Sequence, residues 1–260
     1  MATEQNYRRI FGPYKYAALH LLLGRWVRRY ASEGNHAYVT LGGTELRDVE
    51  SLHFIDPKLL HEAVSYETEA GRHQLAKQSS LLLAEAGIKV RIENSSFFDY
   101  SRQSNLPHIF FLDLEYQCTL ADYYIRFGEM FQNEVIREGD ALLVTSYLPA
   151  RRGWKRLYDT FDAEFRILKL HTPNEKQALY KIAHPSFALY KGLDNRGLQN
   201  EVKLSCFGCV EYRDTSSMAI YGYLIQEGKT NFRELVGDID YYNLKVGYQA
   251  ASRHVKRKIA

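Results

Sequence analysis

Cysteine is scarce in this chain: Cys118, Cys206 and Cys209 are the three in 260 residues. So sparse and odd a set argues against a disulfide framework and fits a reduced setting, so the expected compartment is the cytoplasm. Cys206-Phe-Gly-Cys209 is a lone C-x-x-C. A closed zinc site needs four ligands and no second pair follows at suitable spacing, so both are read as strand cysteines packed like small hydrophobes. The histidines, among them His53, His61 and His73, are scattered without ligand spacing, and no metal is expected. Long apolar runs are also missing. Nothing approaches the roughly 20 residues that span a bilayer, and the apolar stretch behind MATEQNYRRIFGPYKY closes on Arg25, Arg28 and Arg29, unlike a signal peptide. No membrane partner is expected. Charge of one sign is lacking too, since the net charge is only +3. That is too little to imply a nucleic-acid-binding protein.

What is present is an ordinary globular composition, 45% hydrophobic and 25% charged, with length for one large α/β domain or one domain with a modest appendage. The unusual count is 20 tyrosines. Their rings suit sheet positions, and their polar tips suit partly wet grooves or a partner surface.

Helical spacing runs from Tyr14 to Tyr30 through Ala17, Leu21, Leu22, Trp26 and Val27. After Ser32-Glu33-Gly34-Asn35, Ala37–Leu41 reads as a strand, stopped by Gly42-Gly43, and Thr44–Ile55 as a helix ended by Asp56-Pro57. Ala63–Tyr66 is a short strand, a long helix follows as far as Gly87, and Ile88–Ile92 alternates as a strand. His108–Leu112 is a continuous apolar run, as expected of a parallel strand covered on both faces. A helix over 120–136 leads to the strand Ala141–Thr145. Thr172-Pro173-Asn174-Glu175 reads as a helix start. Val202–Tyr212 and Ser217–Ile225 read as a hairpin around a four-residue loop.

This order predicts an open, mostly parallel sheet with helices on both faces. Ligands of such sheets lie beyond the carboxyl ends of the strands, where strand order reverses. Gly42-Gly43, Glu67, Asn94–Asp99, Asp113 and Glu115 all fall at strand ends. Adjacent glycines let backbone N–H groups approach a ligand, and an acid after the second strand can accept from both hydroxyls of a ribose. Each residue also has a plain reading as a turn former, a helix-start acid or a cap.

The arrangement resembles the Rossmann-like, class I S-adenosylmethionine-dependent methyltransferases over about residues 37–225. The resemblance implies a three-layer α/β fold with a seven-stranded sheet closed by an antiparallel hairpin. It divides the chain into an N-terminal helical extension (1–35), the methyltransferase domain (36–230) and a basic tail (231–260). It implies S-adenosylmethionine as cofactor, held by Leu41, Gly42 and Gly43 in a degenerate glycine loop, by Glu67 at the ribose, and by Ser96, Phe97, Phe98 and Asp99 at the adenine. Asp113 would lie near the transferred methyl, and Asp113, Glu115 and Tyr116 (and less directly Tyr147) are the candidates for contacting the acceptor. The family's acid just before the loop is replaced here by Thr40, with Glu45 or Asp48 as candidate substitutes. The Asn/Asp-Pro-Pro-Tyr/Phe signature of amino-group nucleic-acid methylases is absent from the fourth strand.

Two functions follow from the resemblance: methyl transfer to an unidentified acceptor, or a catalytically silent module serving as a binding or scaffolding subunit. A nicotinamide-dependent dehydrogenase fits less well, since G-x-G-x-x-G is missing. A protein partner or a homo-oligomer stays open. The basic loop 151–156 and the basic tail read as solvated charge, with phosphate contacts to a nucleic acid as the alternative.

Overall fold

The computed structural model describes residues 13–24, 35–41, 43–113, 124–147, 160–213, 217–237, 239 and 241–243. Five strands run parallel: β1 (His36–Thr40), β2 (Leu60–Tyr66), β3 (Val90–Glu93), β4 (His108–Asp113) and β5 (Ala141–Tyr147). The hairpin β6 (Val202–Arg213) and β7 (Ser217–Glu227) joins them through β7, antiparallel to both neighbours. Spatial order is β3-β2-β1-β4-β5-β7-β6-β8. The chain therefore steps outward from β1 to β3, returns to the other side of β1 as β4, and so creates a switch point between β1 and β4. Every residue of β1 and β4 is buried, which is why these stretches carry so little polar alternation.

Alternate side chains feed two cores. Val39, Val64, Phe110, Leu112, Leu142 and Val144 face α4 (Tyr124–Gln132), α5 (Asp162–Ile167), α6 (Pro173–Asn195) and α7 (Phe232–Gly237). Tyr38, Ala63, Ile109, Phe111 and Leu143 face α1 (Pro13–Leu22) and α2 (Arg47–Ile55), with Leu83 of α3 (Ala70–Glu85) packed at the margin. Ala18, Leu19 and Leu22 of α1 are fully buried in that second core.

The expected sheet of seven strands stands, and an eighth, β8 (Tyr241–Asn243), extends it parallel to β6. Three residues of strand carry too little periodicity to be seen in a sequence, and the same holds for the short helices α5 and α7. Other differences are at element ends. The helix expected over Thr44–Ile55 starts at Arg47, because Leu46 adopts a left-handed backbone (φ 51°). The helix expected to reach Ile136 stops at Gln132, where Glu134 turns left-handed (φ 54°). The predicted start of α6 is present: Thr172 Oγ1 accepts from the Glu175 N–H at 3.3 Å, while Glu175 accepts from the Thr172 N–H at 3.1 Å. The basic loop 151–156, the basic tail and Cys118 lie outside the described residues.

At the amino end of the parallel strands the Asp140 carboxylate is fully satisfied, while His36 Nδ1 has no hydrogen-bond partner among the described residues. Asp140, fully buried, accepts two bonds from the Arg102 guanidinium (2.7 and 3.0 Å), one from the His108 N–H (2.8 Å) and one from the Arg137 N–H (2.9 Å). Arg102 also donates to the Val135 and Leu106 carbonyls, which ties the starts of β4 and β5 together. Among the described helices, none is long and apolar enough to cross a membrane.

Helices α4 and α6 cross with backbones nearly touching, at Gly128 against Gly192. A Cβ on Gly192 would stand 2.6 Å from the Tyr124 carbonyl oxygen, and one on Gly128 the same distance from the Gly192 carbonyl oxygen. Gly192→Ala is therefore expected to lose about 2 kcal/mol by forcing the helices apart. Gly71→Ala on α3, where nothing lies within 4 Å of the new methyl, is expected to lose nothing. Urea unfolding of the two variants measures the contrast.

Candidate ligand site at the carboxyl edge of the sheet

The register aligns a row of polar side chains across four strands. Thr40 pairs with Ser65 on one side and Phe111 on the other, and Asp113, two residues further along β4, pairs with Thr145. By alternation all four polar side chains point to the α1/α2 face. All are buried, and Ser65 Oγ, Asp113 Oδ1 and Thr145 Oγ1 have no hydrogen-bond partner among the described residues. Buried polar atoms normally have partners, so three such atoms in one row mark a place where the fold leaves its polar groups unmet.

Asp48 closes this row from α2. It is fully buried, and Tyr38 Oη and Thr40 Oγ1 both donate to its Oδ2, at 2.8 and 2.6 Å. Its Oδ1 has no partner among the described residues. Burial raises the Asp48 carboxyl above its ordinary range, opposed by the two hydroxyl donors, with nearby Asp113 raising it further. Burial, together with the Asp48 charge, pushes the Tyr38 phenol well up, so it stays a donor. Thr40, which stands where an acid was expected, thus engages an acid eight residues on. Sequence spacing hides this, because the intervening turn brings the two together.

The turn itself is strained. Leu46 holds its left-handed backbone with its side chain fully buried, and such residues persist only where their surroundings fix them. Gly43 is not left-handed. Its carbonyl accepts from the Leu46 N–H at 3.1 Å, and a Cβ added there would meet nothing within 4 Å. The role available to this glycine is room rather than backbone freedom.

Asp113 is held from the N-terminal helix. Lys15 Nζ donates to Asp113 Oδ2 in an ion pair buried on both sides. Two carboxylates, Asp48 and Asp113, therefore share one side of the sheet with a buried ammonium. Lys15 was not singled out in the sequence, since a lysine one turn into an amphipathic helix normally faces water.

The other expected site residues are not all on this face: Leu41, Phe97 and Phe98 pack against the core on the opposite, α4 and α6 side of the sheet. Leu41 donates its N–H to the Phe111 carbonyl at 2.9 Å, which closes the β1–β4 seam. Glu67 is buried just beyond β2, where Oε2 is paired with Arg72 Nε at 3.1 Å and Oε1 accepts from the Glu69 N–H at 3.1 Å. Ser96 and Asp99 cap the 3-10 turn Phe97–Asp99. Ser96 Oγ accepts from the Phe98 N–H (3.3 Å) and Asp99 Oδ2 from the Ser96 N–H (3.2 Å). Phe97 is core, edge-on to Tyr66 and Phe110, while Phe98 is half-buried. Gly42, Glu115 and Tyr116 lie outside the described residues, as does the side chain of Tyr147.

No protein-family model and no curated protein matches the sequence. Solved structures do. An S-adenosylmethionine-dependent methyltransferase from Clostridium acetobutylicum ATCC 824 is similar at 8% identity and a TM-score of 0.49, over 85% of this chain and 96% of that one. Magnesium protoporphyrin IX methyltransferase from Synechocystis PCC 6803, with bound SAH, is similar at 9% identity and a TM-score of 0.49, over 85% and 93%. The apo form of the S-adenosylmethionine-dependent methyltransferase SibL is similar at 11% identity and a TM-score of 0.44, over 82% of this chain but 55% of that one. In arrangement the chain is similar to S-adenosylmethionine-dependent methyltransferases. Likeness at these identities concerns the course of the chain and says nothing of an acceptor.

On the opposite face, at the end of β5, a second polar pair escaped sequence reading. Ser146 Oγ meets His184 Nε2 of α6, both buried. Burial lowers the His184 pKa to about 4, against the opposing influence of the Lys181 and Tyr180 carbonyls. Pro185, inside α6, cannot donate to the Lys181 carbonyl four residues back. A base whose pKa is depressed in the fold contributes stability that is complete above its unfolded value of 6.5 and is lost as pH falls toward 4. The urea midpoint is therefore expected to fall between these pH values. His184→Gln is expected to flatten that fall by roughly one proton's worth in the same titration.

Proposed function

We propose that this protein binds S-adenosylmethionine beyond the carboxyl ends of β1, β2 and β4 and transfers its methyl group to an acceptor. The observation that carries this reading is the row of buried, unpartnered polar atoms at the switch point, closed by Asp48 and opened by the space at Gly43. Where both carboxylates are ionised, Asp48 and Asp113 against Lys15 leave one negative charge in excess among these three described side chains, and a cationic ligand neutralises it. Asp48 Oδ1 and Asp113 Oδ1 are the acceptors offered to the cationic methionine end, so Asp48 takes over the part of the acid that Thr40 replaces. Leu41, Gly42 and Gly43 are assigned to backbone contacts with the cofactor. Glu67 is assigned the ribose hydroxyls, and Ser96–Asp99 the adenine with the Phe98 ring beside it, while Phe97 acts from the core beneath.

When bound, the cofactor supplies a methyl group on a sulfonium that departs as a neutral thioether. What this chain adds is orientation and exclusion of water. Asp113, held by Lys15, is an orienting group rather than a free base. Glu115 and Tyr116 are assigned to the acceptor. The sparse cysteines, with Cys206 and Cys209 both on β6, fit a cytoplasmic setting.

One observation favours a catalytically silent binding subunit instead. Asp113 Oδ2 and both Glu67 oxygens are engaged by the protein's own Lys15, Arg72 and Glu69 N–H, so a ligand must displace or share these bonds.

Calorimetric titration of folded, ligand-free protein with S-adenosylmethionine and S-adenosylhomocysteine separates the two. Micromolar binding is expected, weakened roughly three- to tenfold by Phe98→Ala through loss of an aromatic contact. Asp113→Asn is expected to weaken it roughly tenfold or more by removing a charged acceptor. Absence of binding to either compound shifts the assignment to the silent module.

A further inference from the structure

The sheet ends at β3, and beyond it no strand pairs among the described residues. The Glu93 carbonyl faces inward and accepts from the Glu67 N–H at 3.0 Å. Backbone direction alternates along a strand, so the N–H and C=O of Val90, Ile92 and Asn94 face outward. Open edges are blunted by shortness, charged side chains, proline or a covering segment, and β3, four residues with Arg91 and Glu93, is short and charged. Here the edge strand reads Val90-Arg91-Ile92-Glu93, with one charge of each sign flanking an isoleucine, and within one chain Arg91 and Glu93 pair at 2.5 Å on the same sheet face.

Beside β3 lies α3, a sixteen-residue helix whose buried residues amount to Ala76 alone. Leu81 and Leu82 are each 68% exposed and Leu75 is 38% exposed. A helix is normally held by an apolar stripe against a core. Clustered exposed leucines beside an unpaired strand edge mark an interaction surface.

We infer that β3 pairs antiparallel with β3 of a second copy of this chain about a two-fold axis through Ile92. The charge pattern selects this occupant. With the axis at Ile92, the two isoleucines exchange both outward backbone bonds, and Arg91 stands directly opposite Glu93 of the second copy, twice over. Residues 91 and 93 then form a pair without mutual backbone bonds, the geometry that brings opposed side chains closest. A strand carrying Arg at one position and Glu two further on is thus complementary to itself when reversed, which suits an isologous interface. Because the axis stands perpendicular to the sheet, both α3 helices fall on the same face, and their exposed leucines approach each other across it. The pairing continues the sheet through both copies. It holds independently of the proposed methyl transfer.

Analytical ultracentrifugation of the full chain over a wide concentration range tests the inference. A reversible dimer is expected. Arg91→Glu, which sets like charges opposite each other twice, is expected to raise the dimer dissociation constant roughly tenfold or more. The double variant Arg91→Glu/Glu93→Arg restores opposite signs and is expected to recover the wild-type value. Leu82→Glu, on an exposed position that folding does not need, is expected to weaken the dimer as well. A wild type that stays monomeric throughout, or a double variant no tighter than Arg91→Glu, overturns the inference.

Discussion

The buried ion pair between Lys15 and Asp113 ties the N-terminal helix to the carboxyl end of the central strand, and the candidate site is arranged around it. Isolating either charge in that interior would be costly, so neither side chain can be lost without the other becoming a liability. Asp48 adds a second carboxylate on the same side, satisfied at one oxygen by Tyr38 and Thr40 and unmet at the other. Lys15 is paired with Asp113, while burial and the Asp113 charge raise the pKa of Asp48. A buried site carrying carboxylate acceptors favours a cation over a neutral ligand.

The two ends of the parallel sheet differ in how completely they satisfy buried polar groups, although His36 Nδ1 at the amino end also lacks a partner among the described residues. At the amino end Asp140, Arg102 and the N–H groups of His108 and Arg137 form a closed set in which each charge has its partners. At the carboxyl end Ser65, Asp48, Asp113 and Thr145 each keep an unmet atom among the described residues. A satisfied network of the first kind fixes the strands. An unsatisfied row of the second kind costs stability unless something else meets it, and this is the physical reason to place ligand chemistry there. The left-handed Leu46 at the same end fits that asymmetry.

Much of the fold was legible because burial on both faces leaves a plain imprint. His108–Leu112 and Ala141–Thr145 could hardly be anything but central strands, and Thr172-Pro173-Asn174-Glu175 carries its helix cap within four residues. The β8 strand and the helices α5 and α7 were not legible, because three to six residues hold less than two turns or one strand repeat. At the site, Glu67, Asp113 and the Ser96–Asp99 turn could be named from their place at strand ends. Their partners could not. Lys15 on Asp113 and His184 against Ser146 join residues by tertiary packing, Arg72 meets Glu67 across the turn into α3, and nothing local distinguishes Lys15 from any solvent-facing lysine.

The sequence by itself determined the alternation of strands and helices, the parallel core and the strand ends at which chemistry would gather. These depend on periodicity and turn chemistry, which act over a few residues. Only the tertiary structure decided that Thr40 reaches Asp48, that a lysine from the first helix pairs with Asp113, and that no described strand pairs with the edge strand beside the exposed leucines. Charge balance and exposure are properties of what surrounds a residue, and those surroundings come from chain segments up to 98 residues away.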